Sequence, residues 1–151
     1  MKMKKSLIST TLGLSILCFG TGASAAENDA LVDSDVTQSI KQAENPNLIG
    51  TMAAPTNSSR TDTYSPFLGG TYAVSKSSST ATEDYIYARA RTFNGDGALI
   101  NSKSASANKT TYICARADNG TIYFGNDWAL GNHTYKLSGY KDVVHETKAY
   151  W

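Results

Sequence analysis

The sequence contains little cysteine, and that scarcity limits the classes of protein to which it can belong. Only two cysteines occur among its 151 residues. Small secreted domains that cannot build a large core usually depend on several disulfide bonds, so a fold held together by many disulfides is excluded. We expect Cys18 to be lost during export. Cys114 would then be a single cysteine without an intramolecular disulfide, either buried and inert or paired between chains.

The first 25 residues have the features of a secretory signal peptide. Met1–Lys5 contains three lysines, Leu7–Phe19 is mostly apolar, and Ala23-Ser24-Ala25 places small side chains before the expected cleavage site. The apolar stretch is shorter than the ~20 residues that a membrane span requires. We therefore predict secretion with cleavage after Ala25, without stable membrane insertion. A lysine-rich start and few cysteines are typical of proteins exported by Gram-positive bacteria.

Aromatic residues are absent from residues 26–63, whereas residues 64–151 hold all nine tyrosines. Each aromatic side chain can bury roughly 150–250 Å², so a segment without them contributes little to a core. Residues 26–63 are also rich in acidic side chains. We predict that they form an acidic lead or linker, either flexible or a pro-segment that docks and is cleaved. A short helix over residues 34–44 would end at Asn45-Pro46.

An excess of positive charge is also missing. Without the three lysines of the signal segment, 11 basic residues face 13 acidic residues. Proteins that bind nucleic acids usually concentrate basic residues on one face. Nucleic acid is therefore not predicted as a partner.

Residues 64–151 lack helical periodicity. Their strand-like segments are separated by residues typical of turns. Asn94-Gly95-Asp96-Gly97 and Asp118-Asn119-Gly120 are strong hairpin signals, because Asn and Gly accept the positive φ angles of tight turns. Gly131-Asn132 and Ser138-Gly139 are weaker ones. The pattern predicts an all-β domain, a small antiparallel β-sandwich of about six to seven strands. The predicted strands are Gly70–Ser77, Asp84–Phe93, Ala98–Ala105, Thr110–Ala117, Thr121–Asn126, Asn132–Leu137 and Val143–Trp151.

Two predicted strands carry nearly the same pattern, since Tyr85–Arg91 and Tyr112–Asp118 agree at five of seven positions. Alternate side chains of a strand face opposite sides, and arginine is rarely buried without a partner. We therefore predict that the tyrosines and arginines face water. For the second run the reverse orientation, with Tyr112 and Cys114 in the core, stays open. The candidate ligand-binding residues are Tyr85, Tyr87, Arg89, Arg91, Tyr112 and Arg116, with Trp128 as an anchor in a loop.

A surface of tyrosine and arginine suits binding, because tyrosine offers a large contact area and arginine a planar fork of donors. The ordinary alternative is that the tyrosines only stabilise the sheet, through cross-strand pairs worth ~0.2–1 kcal/mol each. We predict a secreted, non-catalytic bacterial protein that binds a cell-envelope component, a cell-wall glycan or an extracellular protein.

The motifs of common enzymes and metal sites are missing. There is no Gly-x-Ser-x-Gly motif, no pair of histidines at metal-ligand spacing, and no two glutamates that the sequence brings together. No cofactor or metal is therefore predicted. An extracellular hydrolase that depends on His133 or His145 is the third functional hypothesis.

The chain ends in the predicted strand Val143–Trp151, which closes on Ala149-Tyr150-Trp151. An aromatic C-terminal strand in a protein with a secretory signal resembles the small secreted bacteriocins of the lactococcin β-sandwich type. The resemblance covers only the last few residues and the general build, and the long acidic lead and the lone cysteine depart from it. It implies a secreted antimicrobial β-sandwich as the alternative function.

Overall fold

The computed structural model describes residues 29–45, 53–121 and 126–151, and every helix or strand assigned in them is a strand. Two antiparallel four-stranded sheets result, a first sheet of order β1-β2-β3-β6 and a second sheet of order β5-β4-β7-β8. The predicted all-β fold is confirmed, with eight strands instead of six to seven. The predicted signal peptide lies outside the described residues. The strands are β1 (Asp29–Ile40), β2 (Thr56–Pro66), β3 (Thr71–Glu83), β4 (Tyr85–Phe93), β5 (Leu99–Ala107), β6 (Thr110–Gly120), β7 (Trp128–Lys136) and β8 (Val143–Tyr150).

The acidic lead belongs to the sandwich, and the helix predicted within it is wrong. Residues 34–40 of the predicted helix instead belong to β1, an extended strand that pairs with β2 along nearly its whole length. The carboxylates of Asp33 and Asp35 accept hydrogen bonds from the backbone amides of Tyr150 (2.9 Å) and Lys148 (2.8 Å). An uncovered strand edge presents unpaired amides, so these acidic side chains protect the edge of β8. The described sheets therefore include residues that precede residue 64.

One part of the space between the sheets is packed with small apolar side chains. Ala88 and Ala90 of β4 meet Ala115 and Ala117 of β6 in a buried cluster. Alanine removes little apolar area from water, so close approach of the two sheets must supply the packing here. The rest of the interior is lined mostly by hydroxyl, amide and imidazole groups.

Two of the predicted turns are confirmed. At Asn94–Gly97, the amide of Gly97 donates to the carbonyl of Asn94 at 2.9 Å, and Gly97 has a φ of +83°. At Ser138-Gly139, Gly139 has a φ of +84°. Both glycines supply the positive φ that a tight turn needs.

Two other predicted turns are wrong, because pairing between distant strands extends the chain there. β6 continues through Asp118-Asn119-Gly120, where Gly120 pairs with Thr71 of β3. Gly131-Asn132 lies inside β7. The predicted strand Thr121–Asn126 falls mostly outside the described residues.

Cys114 lies on the outer side of β6, yet only 2% of it is exposed. It is disulfide-bonded. The prediction of a single cysteine concerns the chain after cleavage and stays a prediction. Cys18 itself lies outside the described residues.

Candidate ligand-binding face

The outer side of the second sheet carries the tyrosines and arginines predicted on β4. Along this strand, every second side chain is fully buried, including Ile86, Ala88 and Ala90. The side chains between them, from Tyr85 to Phe93, are half-buried on the opposite side. The predicted orientation of β4 is therefore confirmed, and its physical cause is the need of the guanidinium groups to stay near water.

At one end of this face the two tyrosines of β4 stand beside β7. Tyr85 lies opposite Lys136, and Tyr87 lies opposite Thr134. These four residues line a shallow depression of about 510 Å³. Aromatic walls and polar atoms thus meet at a solvent-open site.

At the other end, three aromatic rings and a lysine come together from three strands. The rings of Phe93 and Trp128 are stacked, with centroids 4.0 Å apart and an interplanar angle of 11°. The Lys148 ammonium lies 4.2 Å from the Trp128 ring centroid and 4.9 Å from that of Tyr150. Trp128 is therefore part of β7 and of this face, and the prediction that it sits in a loop is wrong.

The arginines between these ends are held by neutral groups. Arg89 Nε donates to Ser102 Oγ at 2.9 Å, and Arg91 Nη2 donates to Asn132 Oδ1 at 2.6 Å. Asn132 in turn donates to Glu146 Oε2 at 3.1 Å. Among the described residues, neither arginine forms an ion pair with a carboxylate. The guanidinium groups are thus oriented while their charges stay uncompensated.

We call this surface the β4 face. Sequence reasoning identified most of its β4 residues but did not select Asn132, Lys148 and Tyr150, because their place beside β4 depends on the β4–β7 and β7–β8 pairing. Its members are Tyr85, Tyr87, Arg89, Arg91, Phe93, Trp128, Leu130, Asn132, Thr134, Lys136, Val144, Glu146, Lys148 and Tyr150.

Tyr112 and Arg116 lie on the opposite side of the molecule, so grouping them with the β4 residues is wrong. Both project from the outer side of the first sheet, because the alanines of β6 face the interior. The Arg116 guanidinium lies 3.6 Å from the Tyr72 ring centroid, and its Nε donates to Asp118 at 3.2 Å. The similarity of the two strands did not reveal that they join different sheets.

The two histidines lie between the sheets. His133 is fully buried, and its ring nitrogens contact Ser77 Oγ at 2.8 Å and Thr147 Oγ1 at 2.9 Å. Burial lowers the pKa of His133 to about 4, and the nearby His145 lowers it as well. His133 is therefore neutral at pH 7, and its two ring nitrogens contact hydroxyl groups of β3 and β8.

His145 links the two sheets in the same way. Its ring nitrogens lie 2.8 Å from Ser39 Oγ of β1 and 2.8 Å from Ser59 Oγ of β2. Burial lowers its pKa too. The contacts of this histidine thus join β8 to β1 and β2, which both include residues of the acidic lead.

Three further findings concern membrane-spanning helices, metal sites and similarity to known proteins. In residues 29–45, 53–121 and 126–151, no helix is long and apolar enough to cross a membrane. Within the same ranges, no three His, Cys, Asp or Glu side chains are grouped so that they could hold a metal ion. Comparison with protein-family models, with curated proteins and with solved structures found no match. Function is therefore inferred from the geometry of the β4 face.

Proposed function

We propose that this chain is a secreted, non-catalytic protein of a Gram-positive bacterium that binds a cell-envelope component through the β4 face. The observation that carries this proposal is the arrangement of aromatic rings at both ends of the face with oriented arginines between them. Aromatic rings offer flat surfaces for stacking, and arginine offers several donors in a fixed plane. The signal-like first 25 residues support export.

Sheet stabilisation alone is a weaker explanation of the face. Cross-strand pairing accounts for the stacked Phe93 and Trp128. It does not account for Tyr85 and Tyr87, which line an open depression instead of stacking on one another. A binding role explains both ends of the face together.

The dimensions of the face favour an extended ligand such as a glycan chain. Tyr87 and Phe93 are six residues apart on one strand, which corresponds to about 20 Å. Because both belong to a paired strand in the middle of the sheet, their separation is set by the backbone. A rigid row of this kind loses little conformational entropy when a ligand binds.

Retention on purified bacterial cell wall tests the proposal. We expect wild-type protein to be retained and the double variant Tyr87→Ala/Arg89→Ala to be lost from the pellet, with both proteins folded by circular dichroism. Arg116→Ala, on the opposite sheet, is the matched control and should be retained. Equal retention of wild type and double variant would refute the proposal. Protease treatment of the wall beforehand separates the two partners, because only an extracellular protein ligand would be destroyed.

A further inference from the structure

We infer that the ligand of the β4 face is an anionic polysaccharide, whose carboxylate or phosphate groups are bound by Arg89, Arg91 and Lys148. This inference rests on the proposed function and narrows its ligand class. It depends on three features of the face: its charge, the fixed orientation of its donors and the spacing of its cations.

The charge of the face is positive although the whole chain is close to neutral. Within the described residues, Arg89, Arg91 and Lys148 form no ion pair, whereas Lys136 is compensated by Asp142 at 3.1 Å. Lys148 instead lies over two aromatic rings. Three cations without ion pairs outnumber Glu146, the carboxylate of this face, and favour an anionic ligand over a neutral one.

The donors of the face are arranged before any ligand binds. Asn132 positions Arg91, and Ser102 positions Arg89. An anionic oxygen that reaches the half-buried guanidinium group of Arg91 from outside would neutralise its charge, in the short, strong hydrogen bonds typical of such pairs.

The spacing of the cations indicates a polymer. Arg89 and Arg91 are alternate residues of one strand, about 7 Å apart. Arg91 lies opposite Leu130, which lies opposite Lys148, so two strand spacings of about 4.8 Å separate Arg91 from Lys148. A single small anion can contact only some of these three cations. A chain with repeated anionic groups can meet all of it, and its later contacts form at high effective concentration.

Soluble polymers and extracted walls test the ligand class. We expect the protein to bind polygalacturonate, a carboxylate polymer, or long-chain polyphosphate at least tenfold more tightly than neutral dextran, with affinity falling as salt is added. The two anionic polymers distinguish carboxylate from phosphate. Binding to cell wall should also drop after acid extraction of its anionic polymers. Undiminished retention on extracted wall would overturn this inference and leave the proposed function standing. Absence of retention on either wall would refute the proposed function itself.

Charge variants test the placement of the ligand. Arg89→Gln should weaken polygalacturonate or polyphosphate binding about tenfold. Arg116→Gln makes the same change of charge on the opposite sheet and should leave the affinity unchanged. Glu146→Gln keeps an acceptor for Asn132 but removes the negative charge, so binding should tighten about threefold. Equal losses for the two arginine variants, or no tightening with Glu146→Gln, would overturn the inference. Unchanged melting temperatures verify that each variant is folded.

Discussion

Lowering the pH from 7 to 4 should destabilise the fold by about 3 kcal/mol through His133 alone. The pKa of this buried imidazole is about 4, against about 6.5 in the unfolded chain. The unfolded state therefore binds the proton more readily. The contribution of His133 to stability is complete above pH ~6.5 and is lost as the pH falls towards 4, at about 1.4 kcal/mol per pH unit.

The hydrogen bonds around His133 explain why protonation is unfavourable there. Ser77 Oγ donates to the carbonyl of Tyr87 at 2.8 Å, so its oxygen accepts from Nδ1–H of His133. Nε2 must then accept from the hydroxyl of Thr147. That hydroxyl lies 2.7 Å from Thr61 Oγ1 and can accept its proton in turn. A second proton, on Nε2, would point at the hydroxyl hydrogen of Thr147. The hydroxyl groups of Thr147 and Thr61 would then have to reverse the direction of their hydrogen bonds.

Urea denaturation followed by tryptophan fluorescence measures the free energy of unfolding. Measurements at about pH 7, 6, 5 and 4.5 cover the window between the two pKa values of His133. His145 also has a lowered pKa and adds to the slope. His133→Gln should be less stable at pH 7 but should show a flatter pH dependence than wild type, because one titrating group is gone. A stability that stays flat or rises from pH 6.5 to 4.5 would refute the reasoning.

The buried carboxylate of Asp62 affects stability mainly below this window. Burial raises the pKa of Asp62, but hydrogen bonds from Lys76, Ser34 and Arg60 outweigh it and leave the pKa below its usual 3.8. A carboxyl group with a lowered pKa contributes stability that is present above its unfolded pKa and is lost as the pH falls through its folded one. Its effect therefore begins near its unfolded pKa of 3.8, at the acidic end of the histidine transition.

Three further predictions concern the interior and the strand edge. Gly131→Ala would place a Cβ 2.0 Å from a threonine hydroxyl of β2, so we expect a loss of about 3 kcal/mol, measured by urea denaturation. Lys41→Met would leave Glu83, now 3.2 Å from the Lys41 ammonium, buried without a counter-charge. The expected loss is about 3–5 kcal/mol, largely recovered in the double variant Lys41→Met/Glu83→Gln. Asp35→Ala would remove the acceptor of the Lys148 amide and should accelerate hydrogen exchange at that amide.

Each of these predictions has a result that would contradict it. Full stability of Gly131→Ala would mean that the surrounding hydroxyls can move aside at little cost. A double variant no more stable than Lys41→Met would show that the buried charge on Glu83 is not the cause of the loss. Unchanged exchange at the Lys148 amide would show that Asp35 does not protect the edge of β8.

The amino-acid sequence by itself determined the local features of this protein. The alternation of β4 was predictable because a guanidinium group stays near water and alanine does not need to. The turn at Asn94–Gly97 was predictable because Asn and Gly accept its backbone angles. Both depend on neighbouring residues of one strand or turn, so no knowledge of distant pairing was required.

Only the tertiary structure decided which strands share a surface and what fills the interior. Tyr112 resembles Tyr85 in its local sequence, but β6 pairs with β3 while β4 pairs with β5 and β7. The lead looked unable to fold because it has no aromatic residues. It forms strands nevertheless, since Asp35 binds a backbone amide of β8 and Ser59 joins a hydrogen-bonded interior. These interactions link residues far apart in the chain, and local side-chain patterns do not specify such partners.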